Sequence, residues 1–335
     1  MASMKPKEIV EFIRTAINSQ NIPAIYIWGG PGVGKSRVCQ DVTIENKIGF
    51  VDMRLSMKDP TDIKGLPAPE NGRAKWLPPS ELPTEGRGIL FLDELNLAPP
   101  LVQASAYQLV LDRKVGEYIL PPGWHIIAAG NKTEHGANVF KMAAPLRNRF
   151  IHIDFEVDHD NWLDWAVKRN IASEVIEFIN YRPDFLFAFN AEKHDNAFPT
   201  PRSWEFVSQI IRNTPNLNSD IRHKVIEGTV GTGASLEFRA YLTLKNELPN
   251  IDEILSGKNH LAKQADVACA LATALAVRAR PDQFERLLEY SEVMASTHKE
   301  VGVLMVKLML MKNRQAVISC PSWKKLSLEY YDLLN

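Results

Sequence analysis

Cysteine is scarce in this chain of 335 residues: Cys39, Cys269 and Cys320 are far apart and odd in number. No disulfide framework fits that pattern, and no pair has metal-ligand spacing, so all three read as core thiols in a reducing compartment. Excess charge is missing too. With 39 Lys and Arg against 40 Asp and Glu, no global basic field calls for nucleic acid or an anionic membrane, which disfavours but does not exclude a local basic track. Long apolar runs are also lacking. Val267 to Ala279 comes nearest, but it is short and closes on Arg278 and Arg280, so it is expected to be a buried helix rather than a bilayer span. The N-terminal MASMKPKEIVEFI has no uninterrupted apolar core of the secretory kind, and a cytoplasmic protein without membrane insertion is expected.

What is present is an ordinary globular composition, 45% hydrophobic and 24% charged, long enough for two domains with a core each. Between the apolar AIYIW (Ala24 to Trp28) and a segment with Val38, Cys39 and Val42 on one helical face lies Gly29, four residues, then Gly34-Lys35-Ser36. This is the full G-x-x-x-x-G-K-[ST] pattern in its required strand–loop–helix setting. Glycines let backbone N–H groups curl around an anion, and the next helix turns its positive dipole end toward it. Lys35 is expected to reach the β- and γ-phosphates and Ser36 to ligate magnesium. Gly29, Gly30, Pro31, Gly32, Val33, Gly34, Lys35, Ser36 and Arg37 are the candidate nucleotide-binding residues. The expected ligand is ATP with Mg2+, since nothing in the sequence demands guanine.

The continuous apolar run Ile89 to Leu92 reads as a central parallel strand ending at Asp93-Glu94. Ligands of open α/β sheets sit beyond the carboxyl ends of strands, so Asp93 is placed to face the metal and Glu94 to polarise water. A third apolar strand, WHIIAAGN, ends in Asn131, whose amide can position the lytic water without titrating. With PLRNRFIHIDF following, this order of parts resembles the AAA+ ATPases and, across essentially the whole chain, their MoxR family. The resemblance matches Gly29, Gly34, Lys35 and Ser36 to Walker A, Asp93 and Glu94 to Walker B, and Asn131 to sensor 1. It matches Arg149, with Arg147 as second candidate, to the arginine finger lent to a neighbouring subunit, and Arg202 in FPTPRSWEF to the sensor 2 arginine. It implies an α/β P-loop core over 1–157, with an α-helical lid and C-terminal helical extension over 158–335. It also implies a homo-oligomer, a hexameric ring that hydrolyses ATP to remodel or activate a protein client, with a von Willebrand factor A domain protein as a possible adaptor or client.

Two insertions fit that resemblance. Leu55 to Pro79 carries an Asn71-Gly72 hairpin signal and looks like the helix-2 insert. Asp112 to Pro122 looks like the pre-sensor-1 hairpin. Lys75, Trp76 and Tyr118 are therefore candidate client contacts, weighed against plain hairpin packing. His152, Asp154, Asp158 and His159 crowd together as in a metal site, but alternation with Ile151, Ile153 and Phe155 explains them better. Phe185, Phe187 and Phe189 near His194 suggest a stacking platform for bases, yet without interleaved Lys or Arg they are expected to be buried packing. Two other functions compete with the client-remodelling ATPase: a nucleic-acid motor, which the near-neutral charge disfavours, and a nucleotide-gated binding module, for which Glu94 and Arg149 would be superfluous.

Overall fold

In the computed structural model, residues 2–19, 22–132, 140, 142–193, 195–246, 251–262 and 264–329 are described. The chain divides into two units, Met1–Asp158 with Phe189–His194, and His159–Ala188 with Asp195–Asn335.

The first unit begins with β1 (Ala2–Met4), α1 (Pro6–Ile17), β2 (Ala24–Trp28), α2 (Lys35–Asn46) and β3 (Gly49–Arg54). It continues through α3 (Pro60–Lys64), the hairpin β4 (Leu66–Glu70) and β5 (Arg73–Leu77), β6 (Arg87–Asp93) and α4 (Pro100–Asp112). A small hairpin, β7 (Lys114–Val115) and β8 (Tyr118–Ile119), precedes β9 (Gly123–Gly130), α5 (Ala144–Arg147) and β10 (Phe150–Phe155). Six strands form one sheet in the order β1-β10-β2-β9-β6-β3, and every described pair is parallel. Such a sheet is covered on both faces, which is why its central strands read as apolar runs.

Strand alternation sorts the core. Tyr26, Leu90, Leu92, Ile126 and Ala128 join Val102, Ala106 and Leu109 of α4 in one buried cluster. The alternate residues Ile25, Ile27, Ile89, Phe91, Ile127 and Ala129 are equally buried on the opposite face, where α1 and α2 pack. Helix α1 contributes Ile9, Ile13, Ala16 and Ile17, spaced for one helical face. In the larger hairpin Asn71 and Gly72 both take positive φ, 52° and 74°, the turn that Asn-Gly favours. Strand β1, which nothing in the sequence pattern announced, adds itself beside β10.

The second unit is helical: α6 (His159–Lys168), α7 (Ser173–Tyr181), α8 (Pro201–Asn213), α9 (Ser219–Val230) and α10 (Thr232–Asn246). Then come α11 (Ile251–Leu255), α12 (Ala265–Arg278), α13 (Phe284–Ala295), α14 (Lys299–Ile318) and α15 (Trp323–Glu329). Phe178, Trp204, Phe238 and Tyr241 form its aromatic centre, with neighbouring ring centroids 5.2–5.8 Å apart. Fully buried Glu177 is ion-paired with Lys245, and Arg278 Nε lies 3.6 Å from it; burial pushes its carboxyl above the ordinary range while the two cations oppose that. Ala268, Leu271, Ala272, Leu275 and Ala276 of α12 are buried, as expected of a core helix. Among the described residues no helix is long and apolar enough to cross a membrane.

Three expectations need correction. Only Cys39 is a core thiol; Cys269 and Cys320 are partly exposed. Phe185, Phe187 and Phe189 are half-buried rather than buried, and the Arg182 guanidinium sits 4.7 Å from the Phe185 ring centroid; His194 lies outside the described residues. Tyr118 is 6% exposed and donates from its hydroxyl to the Pro83 carbonyl at 2.7 Å, so it cannot meet a client. On that two-residue strand the exposed side chain is its neighbour Ile119, at 72%.

Candidate functional site

Parallel pairing brings the carboxyl ends of β2, β6 and β9 side by side. Trp28 is opposite Gly130, and Arg54 of β3 is opposite Asp93. The ladder continues into the loop, where Gly29 N–H donates to the Gly130 carbonyl at 3.3 Å. From Gly29 the chain turns through Pro31 and Gly32 to Gly34, which caps α2 at φ 105°, a left-handed conformation that a side chain would strain. Gly34 supplies no side-chain cap to that helix, which leaves first-turn N–H groups to the loop's concave side. Val33 is buried and anchors the loop. Arg37 turns along its own helix to Asp41, 3.3 Å away.

Lys35 ties the site together. Its ammonium donates to the carbonyls of Gly29 at 3.0 Å and Gly30 at 2.8 Å, and to Asn131 Oδ1 at 2.9 Å. Asn131 is held in turn by Asn96, whose Nδ2 donates to the Asn131 carbonyl at 2.6 Å. Asn96 is buried so tightly against Gly130 that a Cβ there would lie 2.1 Å from Asn96 Oδ1. The lysine that opens α2, the asparagine just beyond β9 and the turn after β6 thus form one hydrogen-bonded chain.

At the end of β6, Asp93 Oδ1 accepts from the Glu94 N–H at 3.0 Å. Burial raises the Asp93 carboxyl above its ordinary range, the Glu94 charge adds to this, and Lys35 opposes it. Glu94 sits at φ 55°, ψ 33°, a left-handed backbone that costs a non-glycine residue about 1–3 kcal/mol and persists only where its surroundings enforce it. Its side chain accepts from the Ser56 hydroxyl, which comes from just beyond β3. Neither Ser56 nor Asn96 was singled out from the sequence. Asn96 stands two residues beyond the Asp-Glu pair and offered a positional signal, whereas Ser56 reaches Glu94 only through strand pairing.

The site fits a nucleotide phosphate with its metal. The glycine loop and uncapped helix end offer donors to an anion, and the raised Asp93 carboxyl would be relieved by a cation. Among the described residues no three His, Cys, Asp or Glu side chains converge as a metal cage. Magnesium asks for no such cage, because one or two protein ligands suffice when phosphates and waters supply the rest. Ser36 and Asp93 are the residues that would hold it.

The arginines belong to other elements. Arg147 ends α5, Arg149 follows in the turn before β10, and both are exposed. Arg202 is exposed at the second position of α8, in the other unit. Thr200 and Ser203 fix that helix start by reciprocal capping, with Ser203 N–H donating to Thr200 Oγ1 at 3.0 Å and Thr200 N–H to Ser203 Oγ at 2.7 Å.

No family model and no curated protein matches this chain. Among solved structures, the Holliday junction branch migration motor RuvB of Thermotoga maritima is 16% identical over 90% of this chain and 87% of its own, with a TM-score of 0.40. NtrX from Brucella abortus in complex with ATP is 12% identical over 98% and 68%, at 0.42; in complex with ADP it is 13% identical over the same shares, at 0.41. Likenesses this distant add nothing to what strand order and loop geometry establish.

Proposed function

We propose that the chain is a P-loop nucleoside triphosphatase. Within that class we read it as an AAA+ ATPase of MoxR type, a ring-forming motor that spends ATP hydrolysis on remodelling or activating a protein client. The observation that carries the reading is the bond from Lys35 to Asn131, beside a Glu94 oriented by Ser56. A phosphate binder without turnover needs neither the asparagine nor the strained glutamate.

In this reading Lys35 exchanges loop carbonyls for β- and γ-phosphate oxygens, while loop N–H groups hold the rest of the chain of phosphates. Ser36 and Asp93 would hold Mg2+, which would supply charge neutralisation for the phosphates. Glu94 polarises the attacking water, and Asn131 orients it without titrating. Arg149, or Arg147 beside it, enters the neighbouring subunit's site and stabilises charge on the transferring phosphoryl group, for which a rigid guanidinium fork is suited. Arg202 takes the sensor 2 role that the MoxR resemblance implies. The larger hairpin, with Lys75 and Trp76, and Ile119 of the smaller one face the client.

The test is complementation. Lys35→Ala should lose ATP binding by calorimetry, and Arg149→Ala should bind ATP yet hydrolyse it about 10³-fold more slowly or worse. An equal mixture should recover activity that neither has alone, because some interfaces combine an intact loop with an intact arginine. An Arg149→Ala protein as active as wild type would refute the finger.

A further inference from the structure

We propose that Trp28 and His152 form a tether through which the phosphate-loop strand of each subunit positions the Arg147–Arg149 turn that this subunit lends to its neighbour. The proposal rests on the reading of a ring ATPase with a finger donated in trans. Trp28 is the last residue of β2 and directly precedes Gly29. Its indole Nε1 donates to His152 Nδ1 at 2.9 Å, and His152 Nε2 lies 2.8 Å from the carbonyl of Arg147.

The partners dictate the histidine's state. An indole N–H can only donate and a carbonyl can only accept, so Nδ1 must present its lone pair and Nε2 must carry the proton. His152 therefore links the Trp28 indole to the Arg147 carbonyl through its two ring nitrogens. Parallel pairing makes the bridge possible. His152 is opposite Tyr26 in the β10–β2 ladder, and Trp28 follows two residues on along the same face. Tyr26 and Trp28 stack at 4.3 Å between centroids, and the Trp28 and His152 rings are 23° from coplanar, so packing fixes the direction in which the imidazole points.

At the far end, the turn is short and specific. Arg149 N–H donates to the Leu146 carbonyl at 3.1 Å. Buried Leu146 and Phe150 anchor its two sides and leave Arg147 and Arg149 outside. Those apolar anchors set its depth, and the bond to the Arg147 carbonyl sets its rotation, to which two exposed guanidiniums are sensitive. Movement of the phosphate loop on nucleotide binding would reach the turn through Trp28. His152 is thus a positioning residue: it acts on the finger and not on its own subunit's phosphates.

His152→Phe keeps a ring and removes both bonds. With a wild-type melting profile and ATP KM, it should lower kcat about 10- to 100-fold, the scale expected of a misplaced catalytic group. Mixed rings give the readout that a merely structural role would not move. His152→Phe should be rescued by Lys35→Ala, which lends an intact finger, and should not rescue Arg149→Ala. The opposite pattern, rescue of Arg149→Ala and none by Lys35→Ala, would mean that His152 serves its own subunit's site and would overturn the proposal. So would a wild-type rate. Trp28→Phe carries the same test if His152→Phe does not fold, and where both fold the double variant should be no slower than either single one, whereas additive losses contradict a tether. If Arg149→Ala and Lys35→Ala themselves fail to complement, the trans finger falls and the tether with it, a failure recognisable because neither variant touches Trp28 or His152.

Discussion

At the residue scale the site holds a charge that the fold alone does not welcome. The Asp93 carboxyl is raised above its ordinary range by burial and by Glu94, so in the nucleotide-free protein its ionised form opposes folding. The folded chain takes up this proton at a higher pH than the unfolded one. The cost is therefore full above the raised value and fades as pH falls through it. Asp93→Asn should stabilise the nucleotide-free protein by roughly 0.5–2 kcal/mol at neutral pH, less at mildly acidic pH, and should lose the extra stabilisation that Mg2+ adds to nucleotide. Urea denaturation at the two pH values, with and without Mg2+ and nucleotide, checks both signs. Much of this site was legible in the sequence, since Lys35, Asp93, Glu94 and Asn131 sit in motifs whose residue types their chemistry requires. Ser56 and His152 were not. Each acts through strand register, on Glu94 or between Trp28 and the Arg147 carbonyl, and a register cannot be read from local pattern.

Elements show the same division. The apolar runs announced β2, β6 and β9, and Asn71-Gly72 announced the larger hairpin, because period and turn chemistry are local properties. The three residues of β1 are too few to carry a period. In the smaller hairpin, parity puts Tyr118 and Ile119 on opposite faces without saying which face is covered, and the covered side chain is Tyr118. Roles for these hairpins divide accordingly. Ile119→Ser, or Leu66→Ser with Leu77→Ser on the larger hairpin, where these residues are 64% and 51% exposed, should weaken stimulation by a client or adaptor and leave basal hydrolysis intact. Tyr118→Phe should leave that response unchanged and cost about 1 kcal/mol of stability, the worth of its bond to the Pro83 carbonyl. Stimulated and basal phosphate release, set beside melting curves, separate the two; an Ile119→Ser protein with a full client response would remove this face from client contact.

The whole molecule joins a parallel α/β unit carrying the phosphate loop to a helical unit carrying Arg202, with near-zero net charge over the full chain. Backbone recognition of nucleic acid draws on clustered Lys and Arg, so neither single- nor double-stranded DNA or RNA should raise the ATPase rate at physiological salt. Stimulation that disappears at high salt would instead make the chain a nucleic-acid motor. The central claim is that Glu94, held in a left-handed turn and by Ser56, activates water for ATP hydrolysis. The most direct measurement is phosphate release by Glu94→Gln at saturating Mg2+ and ATP, with nucleotide affinity determined on the same preparation. The account predicts ATP binding close to wild type and turnover reduced by about 10²-fold or more, the scale of a lost general base. Equal turnover in the two proteins would contradict it.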